Sequence, residues 1–218
     1  MISGAARLWR AALPWTRLSV MDLTRQFALP QGLGGRVIGA LMAVMNAAQV
    51  KETVRAVAPK ADEHVLEIGF GPGIGLVALA TSAPGLQVAG VDPSATMVAA
   101  AGRRTRRFAD RVQLHEGTAA ALPFPDATFD AVCATNSVQL WRPRAESLAE
   151  VLRVLKPGGR LVLSILERAV LPDGGSAGPH FDEDLRPDLE AAGYADLQLH
   201  WRPSKLGRAL SVTATRPL

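Results

Sequence analysis

The pattern of apolar positions predicts one long helix followed by a regular alternation of strands and helices. Residues 30–35, rich in glycine, predict a break, and apolar residues then recur at helical spacing from about Arg36 to Val57, before Pro59. Downstream, short apolar runs bounded by turn-forming residues predict strands, and segments of helical spacing separate most of them. The predicted strands are 64–68, 87–91, 112–116, 129–135, 160–166, 195–201 and 209–215, and the helices between them are 73–82, 94–106, 146–155 and 185–192.

This alternation predicts an α/β fold in three layers, with a seven-stranded, mostly parallel sheet between two layers of helices. The end of the chain is the exception. Residues 202–208 join the last two strands, and a parallel crossover needs about a dozen residues or more. The last strand is therefore predicted to be antiparallel. We assign residues 1–60 to an N-terminal helical cap and residues 61–218 to the main domain.

Composition narrows the class of protein without naming a function. The chain has 218 residues, of which 48% are hydrophobic and 20% charged, as in globular proteins. Its single cysteine, Cys133, excludes a disulfide framework and favours a cytoplasmic location, and no cysteine cluster predicts a metal site. The net charge is only +4, so we interpret the arginines of 103–107 as a solvated helix end and expect no nucleic-acid partner.

The N-terminal segment leaves several interpretations open. Arginines and Pro14 interrupt its apolar residues, so no signal peptide is predicted, and no apolar stretch approaches the roughly 20 residues of a membrane span. Trp9 and Trp15 lie beside arginines, which suits a cap over the domain, binding in a groove of a partner, or peripheral membrane contact through residues 7–20. Translation from Met21 is a further possibility.

The strongest motif is a buried strand that runs directly into glycines and then into a helix. Glycines at 69, 71 and 73 come after the strand 64–68. In an open α/β sheet, ligands bind beyond the carboxyl ends of the strands, where glycine lets the backbone approach the ligand and helix N–H groups point at it. Asp92 ends the next strand, where its carboxylate can accept both hydroxyls of a ribose. The sequence therefore predicts a nucleoside-containing ligand.

Common nucleotide-binding signatures are absent. The glycine spacing does not give G-x-G-x-x-G, because position 74 is Ile74 and position 76 is Leu76. No Gly-Lys-Ser/Thr comes after it, so the phosphate-binding loop of nucleoside triphosphatases is excluded. Tyr194 has Gln198, not lysine, four residues later, which leaves nicotinamide-dependent hydride transfer as a weak alternative.

At this point the sequence resembles the class I S-adenosylmethionine-dependent methyltransferases, which have a Rossmann-like fold. The run LEIGFGPG at 66–73 is similar to their first motif. The order and spacing of three more stretches agree over about residues 62–166: 91–94 with Met97, 122–130, and 152–161. The resemblance is greatest to small bacterial enzymes similar to the ubiquinone/menaquinone-biosynthesis methyltransferases. It implies S-adenosylmethionine as cofactor.

The resemblance also implies roles for individual residues. Glu67 and the loop of Gly69, Phe70, Gly71 and Gly73 are expected to hold the methionine part of the cofactor, and Asp92 the ribose. The remaining contacts implied are Pro93 and Met97 beside the adenine, Gly117, Thr118 and Ala119 at its amino edge, and Asn136 facing the methyl donor. The family usually has Gly-Asp-Ala where this chain has Thr118 in the middle, so the adenine contact is expected to weaken by about 1 kcal/mol.

No residue stands out as a catalytic base, and methyl transfer from a sulfonium needs one only for a poorly ionised acceptor. The candidates are His180, Glu167, His115 and His200. Two of these histidines lie within predicted strands, which leaves His180, in the loop 167–181, as the best-placed candidate for a catalytic or substrate-facing role. Trp141 is a candidate to line the acceptor pocket.

The residues after the fourth strand narrow the class of acceptor. Asn136-Ser137-Val138-Gln139 lacks the Pro-Pro-aromatic sequence common in enzymes that methylate nucleobase amines. The expected reaction is methyl transfer from S-adenosylmethionine to a small, apolar acceptor by in-line displacement. Two alternatives remain: a phospholipid or quinone methyltransferase at a membrane surface, and a non-catalytic S-adenosylmethionine-binding regulatory or partner protein. The oligomeric state is not predicted.

Overall fold

The computed structural model describes residues 32–169, 171 and 175–218, with side chains described from Met45 onward. Single-turn 3₁₀ helices at 106–108 and 138–140 accompany the main elements. The α-helices are α1 (Gly32–Val57), α2 (Ile74–Ala80), α3 (Ala95–Thr105), α4 (Arg144–Val154) and α5 (Phe181–Ala191). The strands are β1 (His64–Ile68), β2 (Gln87–Asp92), β3 (Val112–Glu116), β4 (Phe129–Thr135), β5 (Leu155–Leu166), β6 (Ala195–Ser204) and β7 (Gly207–Thr215).

The strands form one seven-stranded sheet in the order β3-β2-β1-β4-β5-β7-β6. The pairs among β1 to β5 are parallel, whereas β7 is antiparallel to both β5 and β6. This confirms the predicted α/β fold, the seven strands and the antiparallel last strand. Because the parallel strands end at one edge of the sheet, the loops after β1, β2, β3 and β4 meet there.

Two apolar cores lie on opposite faces of the sheet. One joins the inward side chains of α1, α2 and α3 to the strands, with Val57, Leu76 and Ala101 fully buried. The other lies under α4 and α5, where Leu148 and Leu185 are also fully buried. Alternate residues of each strand supply the two cores, which is the pattern expected of a sheet covered on both faces. The three-layer prediction is therefore confirmed.

Helix α1 and strand β5 begin earlier than predicted. Helix α1 begins at Gly32, so the break predicted at residues 30–35 was wrong for 32–35. Glycine lowers helix stability by about 1 kcal/mol relative to alanine, but it does not forbid a helix. Strand β5 begins at Leu155, not at 160, because Leu155 pairs with Phe129 before a shift of register. The other predicted strands up to β4 agree to within one residue.

The C-terminal elements are longer than predicted. Helix α5 begins at Phe181, and the acidic residues of 182–184 occupy its first turn, where the helix dipole favours negative charge. Pro187 lies inside this helix, so the predicted start at 185 was wrong. Strands β6 and β7 extend toward each other, which reduces the predicted connection of 202–208 to a tight hairpin turn.

The structure tests for a membrane-spanning helix but not for membrane contact by the N-terminal segment. Across the helices that the structure describes, none is both long and apolar enough to span a membrane. The predictions for Trp9, Trp15 and residues 7–20 lie outside the described residues.

Candidate active site

Backbone hydrogen bonds join the loops at the carboxyl edge of the sheet. The Gly69 N–H donates to the Val91 carbonyl at 2.7 Å, which ties the glycine loop to β2. The Gly117 N–H donates to the Asp92 carbonyl at 3.1 Å, and the Ser137 hydroxyl donates to the Ile68 carbonyl at 2.7 Å. The loops after β1, β2, β3 and β4 therefore form one surface, as the strand order requires.

The glycine loop needs glycine for two physical reasons. Gly69, Gly71 and Gly73 all have positive φ angles, of 71°, 53° and 81°, which side chains disfavour. A Cβ on Gly69 would lie 2.4 Å from the Ser137 Cβ, and one on Gly73 would lie 2.8 Å from the Ala101 Cβ. A Cβ on Gly71 would meet no atom within 4 Å, so the loop has an open side at this residue.

The Asp92 carboxylate is fixed in place by two backbone donors. Its Oδ2 accepts a hydrogen bond from the Gly71 N–H at 2.8 Å, and its Oδ1 accepts one from the Ser94 N–H at 2.9 Å. Burial raises the pKa of Asp92, against the opposing effect of these two N–H groups. Each carboxylate oxygen can accept more than one hydrogen bond, so both can also receive a ribose hydroxyl.

Glu67 is the most unusual group in the site. Its side chain is 4% exposed, and its Oε2 has no hydrogen-bond partner among the described residues. The carboxyl group packs against the start of α2, where a Cβ on Gly75 would lie 2.0 Å from Oε1. Burial, with a smaller contribution from Asp92, raises the pKa of Glu67 from 4.5 to about 8. A buried carboxylate without a partner is costly, so this site fits a ligand that brings an ammonium group.

The raised pKa of Glu67 predicts that cofactor binding depends on pH. The folded chain keeps the Glu67 proton up to about pH 8, so this group lowers stability as pH rises from about 4.5 to 8. A bound ammonium group favours the ionised carboxylate, so binding releases a proton below pH 8. We expect the affinity for S-adenosylhomocysteine to rise by up to about tenfold per pH unit between pH 5.5 and 7.5. Calorimetry in buffers of different ionisation enthalpy measures both quantities.

Glu67→Gln is the control for this pH dependence, because glutamine keeps the shape and cannot ionise. It should bind the ligand more weakly and release no proton. Equal affinity of the wild type at pH 5.5 and 7.5 would show that Glu67 does not face the cofactor's charge.

Asn136 is held by an amide cluster between α1 and the sheet. Its Nδ2 donates to Gln49 Oε1 at 2.8 Å, and Gln49 Nε2 is 3.3 Å from its Oδ1. The same Oδ1 accepts the Leu166 N–H at 2.8 Å, while Gln49 Nε2 also donates to the Ser164 hydroxyl at 2.9 Å. Asn136 has a φ of 54°, a conformation that asparagine tolerates better than most residues. The side chain after β4 is thus fixed from both sides.

Some of the other residues predicted to contact the cofactor are exposed, and others are buried. Pro93 and Thr118 are exposed beside the loops after β2 and β3. Met97 is 1% exposed, and Phe70 is buried in the core under α2. The described chain therefore brings the backbone of Phe70 to the site, while its ring points into the core. The adenine contacts of these residues stay predictions.

The candidate catalytic and acceptor-facing residues are not gathered into one cluster. His180 is exposed, and its hydrogen bond with Glu183 at 2.9 Å raises its pKa. Trp141 is buried in the core under α4 and α5. His115 packs edge-on against Phe124, whereas His200 accepts a hydrogen bond from an arginine, and Glu167 lies 4.0 Å from another. The roles of His180 and Trp141 stay predictions.

Sequence reasoning missed four residues that shape the site. Gly75 makes room for the Glu67 carboxyl, and Ser137 ties the loop after β4 to β1. Gln49 of α1 pairs with the Asn136 amide, and the Ser164 carbonyl of β5 accepts the Asn136 N–H. The position of Gly75 in the first turn after the glycine loop was a usable signal. Gln49 lies 87 residues from Asn136, and no local pattern links the two.

Comparison with known proteins finds a methyltransferase domain and methyltransferase relatives. A methyltransferase domain model matches residues 66–163. The chain is 25% identical to the uncharacterized methyltransferase YdaC of Bacillus subtilis over 185 residues, which are 83% of this chain and 98% of that protein. It is 42% identical over 111 residues to the demethylmenaquinone methyltransferase of Clavibacter sepedonicus, which covers 51% of this chain. The match spans only 44% of that enzyme, so the similarity does not show that this chain acts on the same substrate.

Solved structures share the fold at low sequence identity. The [4+2]-cyclase SpnF superimposes with a TM-score of 0.67 at 21% identity, covering 86% of this chain and 85% of that one. Phosphoethanolamine N-methyltransferase 2 of Haemonchus contortus, in complex with phosphomonomethylethanolamine and S-adenosylhomocysteine, gives 0.70 at 17% identity and covers 92% of this chain and 61% of that one. These likenesses concern the fold. The matched residues 66–163 form a methyltransferase domain, and this domain, the methyltransferase relatives, the glycine loop and the sheet order together support a class I S-adenosylmethionine-dependent methyltransferase.

Proposed function

We propose that the chain transfers a methyl group from S-adenosylmethionine to a small-molecule acceptor by in-line displacement. The observation that carries this proposal is the buried Glu67 carboxyl group, whose Oε2 has no hydrogen-bond partner among the described residues and which lies against Gly75 at the start of α2. The ammonium group of the cofactor's methionine part supplies the positively charged partner that Glu67 needs when it ionises. Asp92, on the neighbouring strand, is already oriented by two N–H groups and receives the ribose.

The adenine lies, in this proposal, along the loops after β2 and β3. Pro93 and Met97 flank it, and Gly117, Thr118 and Ala119 meet its amino edge. Thr118 is exposed and its backbone forms an isolated bridge with Ala121, and since its hydroxyl has no hydrogen bond to the described residues, the hydroxyl can turn toward a ligand. Its lack of charge accounts for the expected loss of about 1 kcal/mol in this contact.

The reaction requires mainly positioning from the chain. When bound, S-adenosylmethionine supplies an activated methyl group on a sulfonium. Asn136, fixed by Gln49 and the Leu166 N–H, presents its backbone and amide beside the reacting centre. Holding two reactants in line lowers the activation free energy by up to about 7–11 kcal/mol. Helix α1 covers this side of the sheet, and we assign residues 1–60 as the cap.

The acceptor is a small molecule and not a nucleic acid. The arginines of 103–107 lie in the last turn of α3 and in the 3₁₀ helix after it. Because the N-terminus of α3 lies beside the cofactor loops, this basic cluster lies toward the opposite edge of the sheet. We assign His180 and Trp141 to the acceptor side and place the protein in the cytoplasm.

The test is transfer of label from methyl-labelled S-adenosylmethionine to a panel of phenols, quinols, amines and carboxylic acids. We expect the wild type to form one labelled product together with an equal amount of S-adenosylhomocysteine. Glu67→Gln should lower the rate by at least about tenfold, because the cofactor's ammonium loses its charged partner. Chromatography with mass detection identifies the product.

Asp110→Asn is the matched control, since this exposed acid precedes β3 at the amino edge of the sheet. Its rate should equal that of the wild type. Tight S-adenosylhomocysteine binding with no labelled product from any acceptor class would contradict the proposal and favour a non-catalytic cofactor-binding protein.

A further inference from the structure

A cavity of about 380 Å³ lies between α1 and the β6–β7 hairpin, outside the predicted cofactor contacts. Helix α1 contributes Gln49, Glu52 and Thr53 to its wall, and β5 contributes Ser164. The hairpin contributes Arg202 and Lys205, with further serines. The volume is within the range of about 300–1,000 Å³ typical of small-molecule sites.

The register of the sheet explains why several polar side chains line this cavity. Ser164 of β5 pairs with Ser211 of β7, and Ser211 pairs with His200 of β6, which puts all three on the face turned toward α1. Leu210 and Val212, the neighbours of Ser211 in β7, point to the other face and are fully buried. Core packing therefore uses one face of the hairpin and leaves polar groups on the cavity side.

Arg202 is held in place and still has donors to spare. Its Nε donates to His200 Nε2 at 3.0 Å, and its Nη2 donates to the Ser211 hydroxyl at 2.8 Å. A guanidinium has five N–H donors, so three remain. Among the described side chains, no carboxylate lies within ion-pair distance of Arg202 or Lys205. Glu52 is the single acid among the residues lining the cavity, which leaves the lining with one net positive charge.

Two residues of the cavity wall also contact Asn136, beside the proposed methyl-transfer centre. Gln49 lines the cavity and forms the amide pair with Asn136. Ser164 also lines it, and its carbonyl accepts the Asn136 N–H at 2.7 Å. The cavity wall and the surroundings of Asn136 therefore share two residues, Gln49 and Ser164.

We propose that this cavity binds a small organic anion, a carboxylate or a phosphate monoester, as the non-reacting end of the methyl acceptor. Arg202 and Lys205 are the charge partners, and the serine hydroxyls supply further hydrogen bonds. The link to methyl transfer rests on the proposed function, whereas the anion site itself does not. An acceptor with an anionic end is amphipathic, whereas the sequence predicted an apolar acceptor.

The test is fluorine NMR of the full chain with 4-fluorobenzoate, 4-fluorophenyl phosphate and the neutral 4-fluorobenzamide. We expect at least one of the two anions to bind, with the amide at least about tenfold weaker, because a charge-assisted hydrogen bond is lost. The anion that binds with the higher affinity shows whether the cavity is a carboxylate or a phosphate site. Arg202→Gln and Lys205→Gln should each weaken the bound anion by about tenfold or more.

Lys51→Gln is the matched control, because Lys51 is an exposed cation of α1 that does not line the cavity. Equal binding of amide and anions, or unchanged binding in both hairpin variants, would overturn the anion site. Saturating S-adenosylhomocysteine should leave the anion bound, and displacement would overturn the cavity as its site. If the anion binds and S-adenosylhomocysteine does not, the anion site stands and the acceptor role fails. If only S-adenosylhomocysteine binds, the cofactor assignment stands and this inference fails.

Discussion

Asp92→Ala is expected to weaken S-adenosylhomocysteine binding by about 100-fold or more. Two ribose hydroxyls lose a charged acceptor, and each such hydrogen bond contributes about 1.5–3 kcal/mol. The loss of about 2.7 kcal/mol or more corresponds to this factor of 100. Titration calorimetry measures the dissociation constant of the folded variant, at a temperature below the melting temperature of the ligand-free protein.

The ligand-free variant also changes, because Asp92 accepts the Gly71 and Ser94 N–H groups. Loss of these bonds lowers the free energy of unfolding, so the melting temperature is recorded without ligand as well. Asp110→Ala removes an exposed acid at the other edge of the sheet and should bind as the wild type does. An Asp92→Ala variant that is folded and binds within threefold of the wild type would exclude Asp92 from the site.

Gly75→Ala is expected to destabilise the protein and to weaken cofactor binding together. The new Cβ would lie 2.0 Å from Oε1 of Glu67 and 2.5 Å from Oε2, so the buried carboxyl group must move. Overpacking of this kind costs about 1–3 kcal/mol, or a fall of about 2–4 °C in Tm for each kcal/mol. Because Glu67 shifts away from the ammonium group, the Kd for S-adenosylhomocysteine should rise as well.

Gly102→Ala is the control for this substitution, because it makes the same change in another helix. A Cβ there has only the Leu114 Cδ1 nearby, at 3.7 Å. Alanine favours a helix by about 0.5–1 kcal/mol over glycine, so this variant should be more stable than the wild type. Equal and small effects of the two variants on Tm would show that the Glu67 carboxyl group does not need the space left by glycine at position 75.

Local pattern was enough to predict the part of the site made by short segments. Glu67, the glycine loop and Asp92 each lie at the end of a strand whose alternation or apolar run is visible in the sequence. Because parallel strands end at one edge, their meeting there is a consequence of the fold class alone. The same logic predicted that β7 is antiparallel, since the connection before it was too short.

The features that local pattern did not predict depend on contacts between distant segments. The Gln49–Asn136 pair spans 87 residues, and the cavity at Arg202 arises from the register of three strands. The start of α5 was missed because Pro187 suggested a boundary that the acidic first turn outweighs. Glycines at 32–35 suggested a break, but their low helix propensity is weak evidence against a helix that packing stabilises.

The most direct test of the central claim is a crystal structure of the wild type with S-adenosylhomocysteine. We predict that the ligand's amino group lies within hydrogen-bond distance of Glu67 Oε2, its ribose hydroxyls contact Asp92, and its sulfur faces Asn136. A ligand bound elsewhere, or one that leaves the Glu67 carboxylate without a partner, would contradict the account.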